Sequence, residues 1–91
     1  MTDTPATPHV EIYTSPFCGF CWRAKALLDH KGVPYDEINV MMDSGRRAEM
    51  MERADGGTSV PQIFINGEYL GGCDELIMLE HEGLLDSKLV A

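Results

Sequence analysis

Residues 9–40, HVEIYTSPFCGFCWRAKALLDHKGVPYDEINV, decide the fold. The stretch opens with His9-Val10-Glu11-Ile12-Tyr13-Thr14, where polar residues alternate with β-branched or aromatic ones in the manner of a strand. Ser15-Pro16 ends it. From Gly19 to Lys31 the residues favour helix, with Cys21, Ala24 and Leu28 recurring on one face, and Gly32 supplies the stop. Pro34 to Val40 predicts a second strand. The stretch between the strands is long enough for a right-handed helical crossover, so the segment is a βαβ unit with parallel strands.

Beyond it, Asp43 or Ser44 caps a second helix running to about Ala54, with Ala48, Met51 and Ala54 on its apolar side and Asp55-Gly56-Gly57 ending it. Gln62-Ile63-Phe64-Ile65 and Glu68-Tyr69-Leu70 flank Asn66-Gly67, a two-residue hairpin signal because both residues tolerate positive φ. After Gly71-Gly72 the run Asp74 to Leu79 predicts a helix with an acidic start, interrupted at Gly83 before Leu84-Leu85. The expected order is β-α-β-α-β-β-α. Residues 1–8, with two prolines and no periodic apolar face, are expected to form a flexible tail ahead of one domain over 9–91.

Ninety-one residues with 44% hydrophobic and 24% charged content fit one small globular domain. Seven Lys+Arg against fifteen Asp+Glu leave a net charge of -8, which repels nucleic-acid phosphates and anionic membrane surfaces. No apolar run approaches a membrane span, and Met1-Thr2-Asp3-Thr4-Pro5 lacks the basic and apolar regions of a secretory signal, so a cytoplasmic location is expected.

The chemistry centres on Cys18 and Cys21. Cysteines three apart at a helix start lie on one side, close enough to bridge, and the first sits beside unpaired backbone N–H groups. Those donors and the helix dipole stabilise a thiolate, so Cys18 is expected to ionise below the ordinary thiol range and act as nucleophile, with Cys21 shielded one turn inward. The alternatives are a pair of buried structural thiols or half of a zinc site; against zinc, there is no second C-x-x-C, and His9, His30 and His81 are scattered singly. Cys73 is expected to be a small buried hydrophobe, and Met41, Met42, Met50 and Met51 to fill gaps in the core. Pro61, before a strand, ends a loop in a fixed turn.

Cys18-Gly19-Phe20-Cys21-Trp22-Arg23-Ala24-Lys25, Ser59-Val60-Pro61-Gln62-Ile63-Phe64-Ile65 and Gly71-Gly72-Cys73-Asp74-Glu75-Leu76 resemble, in order and spacing, the three signature segments of the glutaredoxins. The resemblance spans roughly His9 to Leu79. It implies an α/β chain with the thioredoxin fold, a four-stranded mixed sheet flanked by about three helices. It also implies a glutathione-dependent oxidoreductase acting on protein–glutathione mixed disulfides and protein disulfides. By position, Cys18 resembles the nucleophile and Cys21 the resolving thiol. Phe20 stands where tyrosine is usual. Ser59, Val60 and the cis-proline Pro61 resemble the loop whose backbone pairs with the cysteinyl part of glutathione. Gly72, Cys73 and Asp74 resemble the turn that holds the γ-glutamyl end.

Three departures bear on partners. Ser15 replaces a lysine common three residues before the nucleophile, and Gly57-Thr58 replaces an arginine common before the valine–proline loop. Capture of anionic glutathione would then rest on Arg46, Arg47 or Arg53 folding back. Gly19 replaces proline, as in Cys-Gly-Phe-Ser relatives that hold a [2Fe–2S] cluster between two protomers, with the nucleophilic cysteine and one glutathione from each side as ligands. A monomer is therefore expected, or a dimer if a cluster is bound, and Cys18 is the candidate metal ligand in that case. A redoxin fed by thioredoxin reductase is the remaining alternative.

Overall fold

A computed structural model describes residues 8–90. Apart from Pro8, the tail expected over residues 1–8 lies outside the described residues. The elements are β1 (Val10–Thr14), α1 (Gly19–His30), β2 (Asp36–Asn39), α2 (Ser44–Arg53), β3 (Gln62–Ile65), β4 (Glu68–Gly71), α3 (Cys73–His81) and the single turn α4 (Leu85–Lys88). The sheet has the order β2-β1-β3-β4. β1 pairs parallel with β2, and β3 pairs antiparallel with both β1 and β4.

Four consequences of the chemistry fix this arrangement. The crossover through α1 makes β1 and β2 parallel, with Thr14 opposite Asn39. Asn66 and Gly67, at φ 53° and 83°, turn the β3–β4 hairpin. The Asp43 carboxylate accepts from Gly45 N–H at 3.0 Å and Arg46 N–H at 3.2 Å, capping α2. Gly83, at φ 73°, separates α3 from α4.

Two apolar clusters cover the two faces of the sheet. Val10, Ile12, Ile63 and Ile65 face Ala24 and Leu28 of α1, Cys73 and Leu76 of α3, and Leu85 and Leu89. Tyr13, Ile38, Val40 and Phe64 face Met50 and Ala54 of the α2 side. β1, as an inner strand covered on both faces, is buried at Val10, Ile12, Tyr13 and Thr14 alike, so the half-buried alternation expected of it gives way to nearly continuous burial.

The expected inward face of α2 is corrected. Met50 is buried, Met51 half-buried and Ala48 exposed. The reason is a polar cluster under the helix: Arg53 Nη2 donates to Glu11 Oε1 at 2.9 Å, Nη1 donates to Tyr13 OH at 2.7 Å, and Tyr13 OH donates to Glu49 Oε2 at 2.5 Å. The Arg53 guanidinium also lies 4.0 Å from the Phe64 ring centroid. Met41 and Met42 are likewise not core fillers. They follow the end of β2, past the reach of either cluster, and are 63% and 80% exposed.

Candidate functional site

β1 and β2 both run toward one end of the sheet, and β3, being antiparallel to β1, begins there. β4 returns to the same end. The Ser15–Cys18 loop, the Ser59–Pro61 loop and the Gly71–Cys73 turn therefore emerge side by side. Sequence positions more than fifty residues apart become neighbours through strand direction alone.

Cys18 is the N-cap of α1, at φ -113° and ψ 106°, and its Sγ accepts from Cys21 N–H at 3.0 Å. A sulfur in place of the usual oxygen cap puts the reactive atom on the positive end of the helix dipole, where an anion is stabilised. Cys18 Sγ also lies 3.7 Å from the Val60 carbonyl oxygen. Cys21 stands one turn inward, 1% exposed, and the two are joined as a disulfide with their Cα atoms 5.2 Å apart. Phe17, Phe20 and Trp22, the neighbours of the pair in sequence, are exposed aromatics, at 95%, 56% and 71%.

Beside the sulfurs lies a groove of about 300 Å³ lined by Phe20, Ser59, Val60, Pro61, Gly72, Cys73, Asp74 and Glu75. Every residue expected to contact glutathione lines this one depression, and the Val60–Pro61 bond is cis. Glu75 was missed by the sequence reading. Its Oε1 accepts Gly72 N–H at 2.6 Å, closing the first turn of α3 against the groove. An acidic residue three positions past a Gly-Gly turn is the signal that could have found it. Cys73 is 4% exposed, and burial pushes its thiol above the ordinary range, so it stays protonated and inert at neutral pH.

The arginines divide clearly. Arg53 is bound to Glu11 and Tyr13, and Arg46 Nε is paired with Glu49 Oε2 at 3.3 Å. Arg47 alone reaches the groove loop, where its Nη2 donates to Thr58 O at 3.1 Å. The candidate compensation by three arginines thus narrows to one.

Gly19 begins α1, so its N–H has no acceptor within the helix, and a Cβ built there meets nothing within 4 Å. Cys18 already has the extended conformation that suits a residue before proline. Gly19→Pro is therefore expected to stabilise the protein by about 0.4–1 kcal/mol, read as a melting point raised by roughly 2–8 °C. A lowered melting point would show that the loop needs the freedom of glycine.

Among the described residues no helix is long and apolar enough to cross a membrane, and no three His, Cys, Asp or Glu side chains gather to hold a metal. The glutaredoxin family profile matches residues 10–70. The chain is 48% identical to Glutaredoxin 3 of Escherichia coli K12 over 81 residues, covering 89% of this chain and 96% of that protein. The solution structure of a glutaredoxin from Brucella melitensis superposes with a TM-score of 0.81 at 50% identity, covering 92% of this chain and 90% of the other. A buckwheat glutaredoxin–glutathione complex superposes with a TM-score of 0.80 at 29% identity, covering 88% and 74%. With this match, the four-stranded mixed sheet and the Cys18–Cys21 pair, the chain belongs to the glutaredoxin family of thiol–disulfide oxidoreductases.

Proposed function

We propose that the protein uses glutathione to reduce protein–glutathione mixed disulfides and, by a second route, protein disulfides. The observation that carries this reading is the groove lined by Val60, Pro61, Asp74 and Glu75, whose Val60 carbonyl lies 3.7 Å from the Cys18 sulfur. Glutathione carries two carboxylates and one ammonium. Arg47, held on the Thr58 carbonyl next to Ser59 of the lining, suits the glycyl carboxylate, and Asp74, in the lining itself, suits the γ-glutamyl ammonium.

In the first route the Cys18 thiolate attacks the glutathione sulfur of the mixed disulfide. A Cys18–glutathione disulfide forms, the old S–S bond breaks, and the target leaves as a thiolate that takes a proton from solvent. A second glutathione thiolate attacks the glutathione sulfur held on Cys18, which regenerates the Cys18 thiolate and releases glutathione disulfide. In the second route Cys18 attacks a protein disulfide, and Cys21 Sγ displaces the target, leaving the Cys18–Cys21 disulfide; two glutathiones then reduce it.

Cys21→Ser separates the routes. Turnover of a glutathionylated peptide should survive within a few-fold, while reduction of a protein disulfide should fall by at least about a hundred-fold, as expected for removal of a nucleophile. Loss of both activities would contradict the division of labour. Arg47→Ala should raise KM for the glutathionylated peptide about three- to ten-fold at low salt, with the difference shrinking toward high salt as the charge is screened. An unchanged KM at low salt would remove Arg47 from the site.

A [2Fe–2S] cluster requires four thiolates. One copy of the chain offers a single accessible one, since Cys21 and Cys73 are buried. Cys18 from each of two copies, with one glutathione on each side, would supply the four, so the cluster reading asks for a dimer.

A further inference from the structure

Gln62 is one of two buried polar residues among the described residues, 4% exposed, at the first position of β3 directly after the cis-proline. A primary amide buried without partners costs free energy that a leucine of similar size would not, so its hydrogen bonds locate its role. Nε2 donates to Ser59 O at 3.0 Å and lies 3.5 Å from Ser59 Oγ; Oε1 accepts from Tyr69 OH at 2.6 Å. A methyl group built on Gly57 would stand 2.9 Å from Nε2, so the backbone of the loop passes directly over the amide. The side chain spans the Gly57–Pro61 loop from beneath. Tyr69, on the outer strand β4 and stacked on Phe64 at 5.2 Å, orients it from below, and burial holds the Tyr69 hydroxyl above the ordinary phenol range, so it remains a donor.

We infer that Gln62, oriented by the Tyr69 hydroxyl, is a positioning residue that fixes the Ser59–Val60 backbone for pairing with glutathione. The inference rests on the glutathione reading above. Arg47 holds Thr58 O and Cys18 Sγ lies against Val60 O, while the Gln62 bond at Ser59 O falls between them, one residue from the backbone proposed to face the ligand. A hydrogen bond that orders this segment before glutathione arrives lowers the ordering cost of binding, which appears in KM.

The test measures steady-state turnover of a glutathionylated peptide by native protein, Gln62→Leu and Tyr69→Phe, alongside the rate at which each reduced protein reacts with dithiodipyridine. The latter has no peptide backbone to pair with Val60. Gln62→Leu should raise KM about five- to ten-fold with kcat within two-fold, and Tyr69→Phe, which removes one hydroxyl at a half-exposed site, about two- to three-fold. The dithiodipyridine rates should stay within two-fold of native. Unchanged KM in both variants overturns the inference, as does an equal slowing with both reagents, which marks general damage. If Gln62→Leu does not fold, Tyr69→Phe decides alone. Native protein that reacts with dithiodipyridine but not with the glutathionylated peptide sinks the functional reading, and this inference with it.

Discussion

Cys18→Ser should lower turnover of both glutathionylated peptides and protein disulfides by at least about a thousand-fold, because both routes begin with this one sulfur. The structure explains why the same change at Cys21 has a narrower effect. Cys18 caps α1 and is reachable from the groove, whereas Cys21 is sealed beneath it and meets only a partner already bound to Cys18. The Cys21 N–H at 3.0 Å and the first-turn donors around it favour the anionic sulfur. Alkylation of the reduced Cys21→Ser protein as a function of pH should accordingly show a midpoint below that of an ordinary thiol, about 8.5. A midpoint at or above that value would refute the capping argument, even if the serine variant at position 18 were inactive.

Gly71→Ala, at the end of β4 beside the groove, should be the most disruptive small substitution near the site. Gly71 has φ 122°, a region that an alanine enters only with strain, and a Cβ there would stand 2.7 Å from both Cγ and Oε1 of Glu75. Displacing Glu75 also strips the Gly72 N–H of its acceptor. The two costs together come to about 2–4 kcal/mol, which corresponds to a melting point lowered by roughly 10–20 °C. Gly83→Ala provides the comparison. That glycine has φ 73° but faces open space, so the strain acts without the collision and the loss should be about half as large. Equal losses at the two sites would mean that neither the greater strain at φ 122° nor the contact with Glu75 adds to the cost.

Much of the fold was legible because its signals are local. The C-x-x-C at a helix start, Asn66-Gly67 between apolar runs and the break at Gly83 each specify their geometry within a few residues. The gathering of Cys18, Val60 and Gly72 was legible through resemblance, and the structure gives its cause in the shared end of the four strands. What was not legible depends on partners remote in sequence. Arg53 is an ordinary surface residue by composition until Glu11 and Tyr13 are brought under it, and their presence turns α2 so that Met50 packs where Met51 was expected. Gln62 reads as an unremarkable polar residue until the loop above and Tyr69 below are both in place. Met41 and Met42 misled because methionine is a common core filler, and only the point at which β2 ends shows that nothing lies over them.

The depth difference between the paired thiols also governs what happens under peroxide. A sulfenic acid formed on Cys18 has the Cys21 thiol one helical turn away, and condensation of the two expels water and yields the internal disulfide. That product is recoverable by thiols, whereas a second oxidation to the sulfinic acid is not. Burial keeps Cys21 itself away from the oxidant, so damage control is built into the same turn of helix that carries the reactivity.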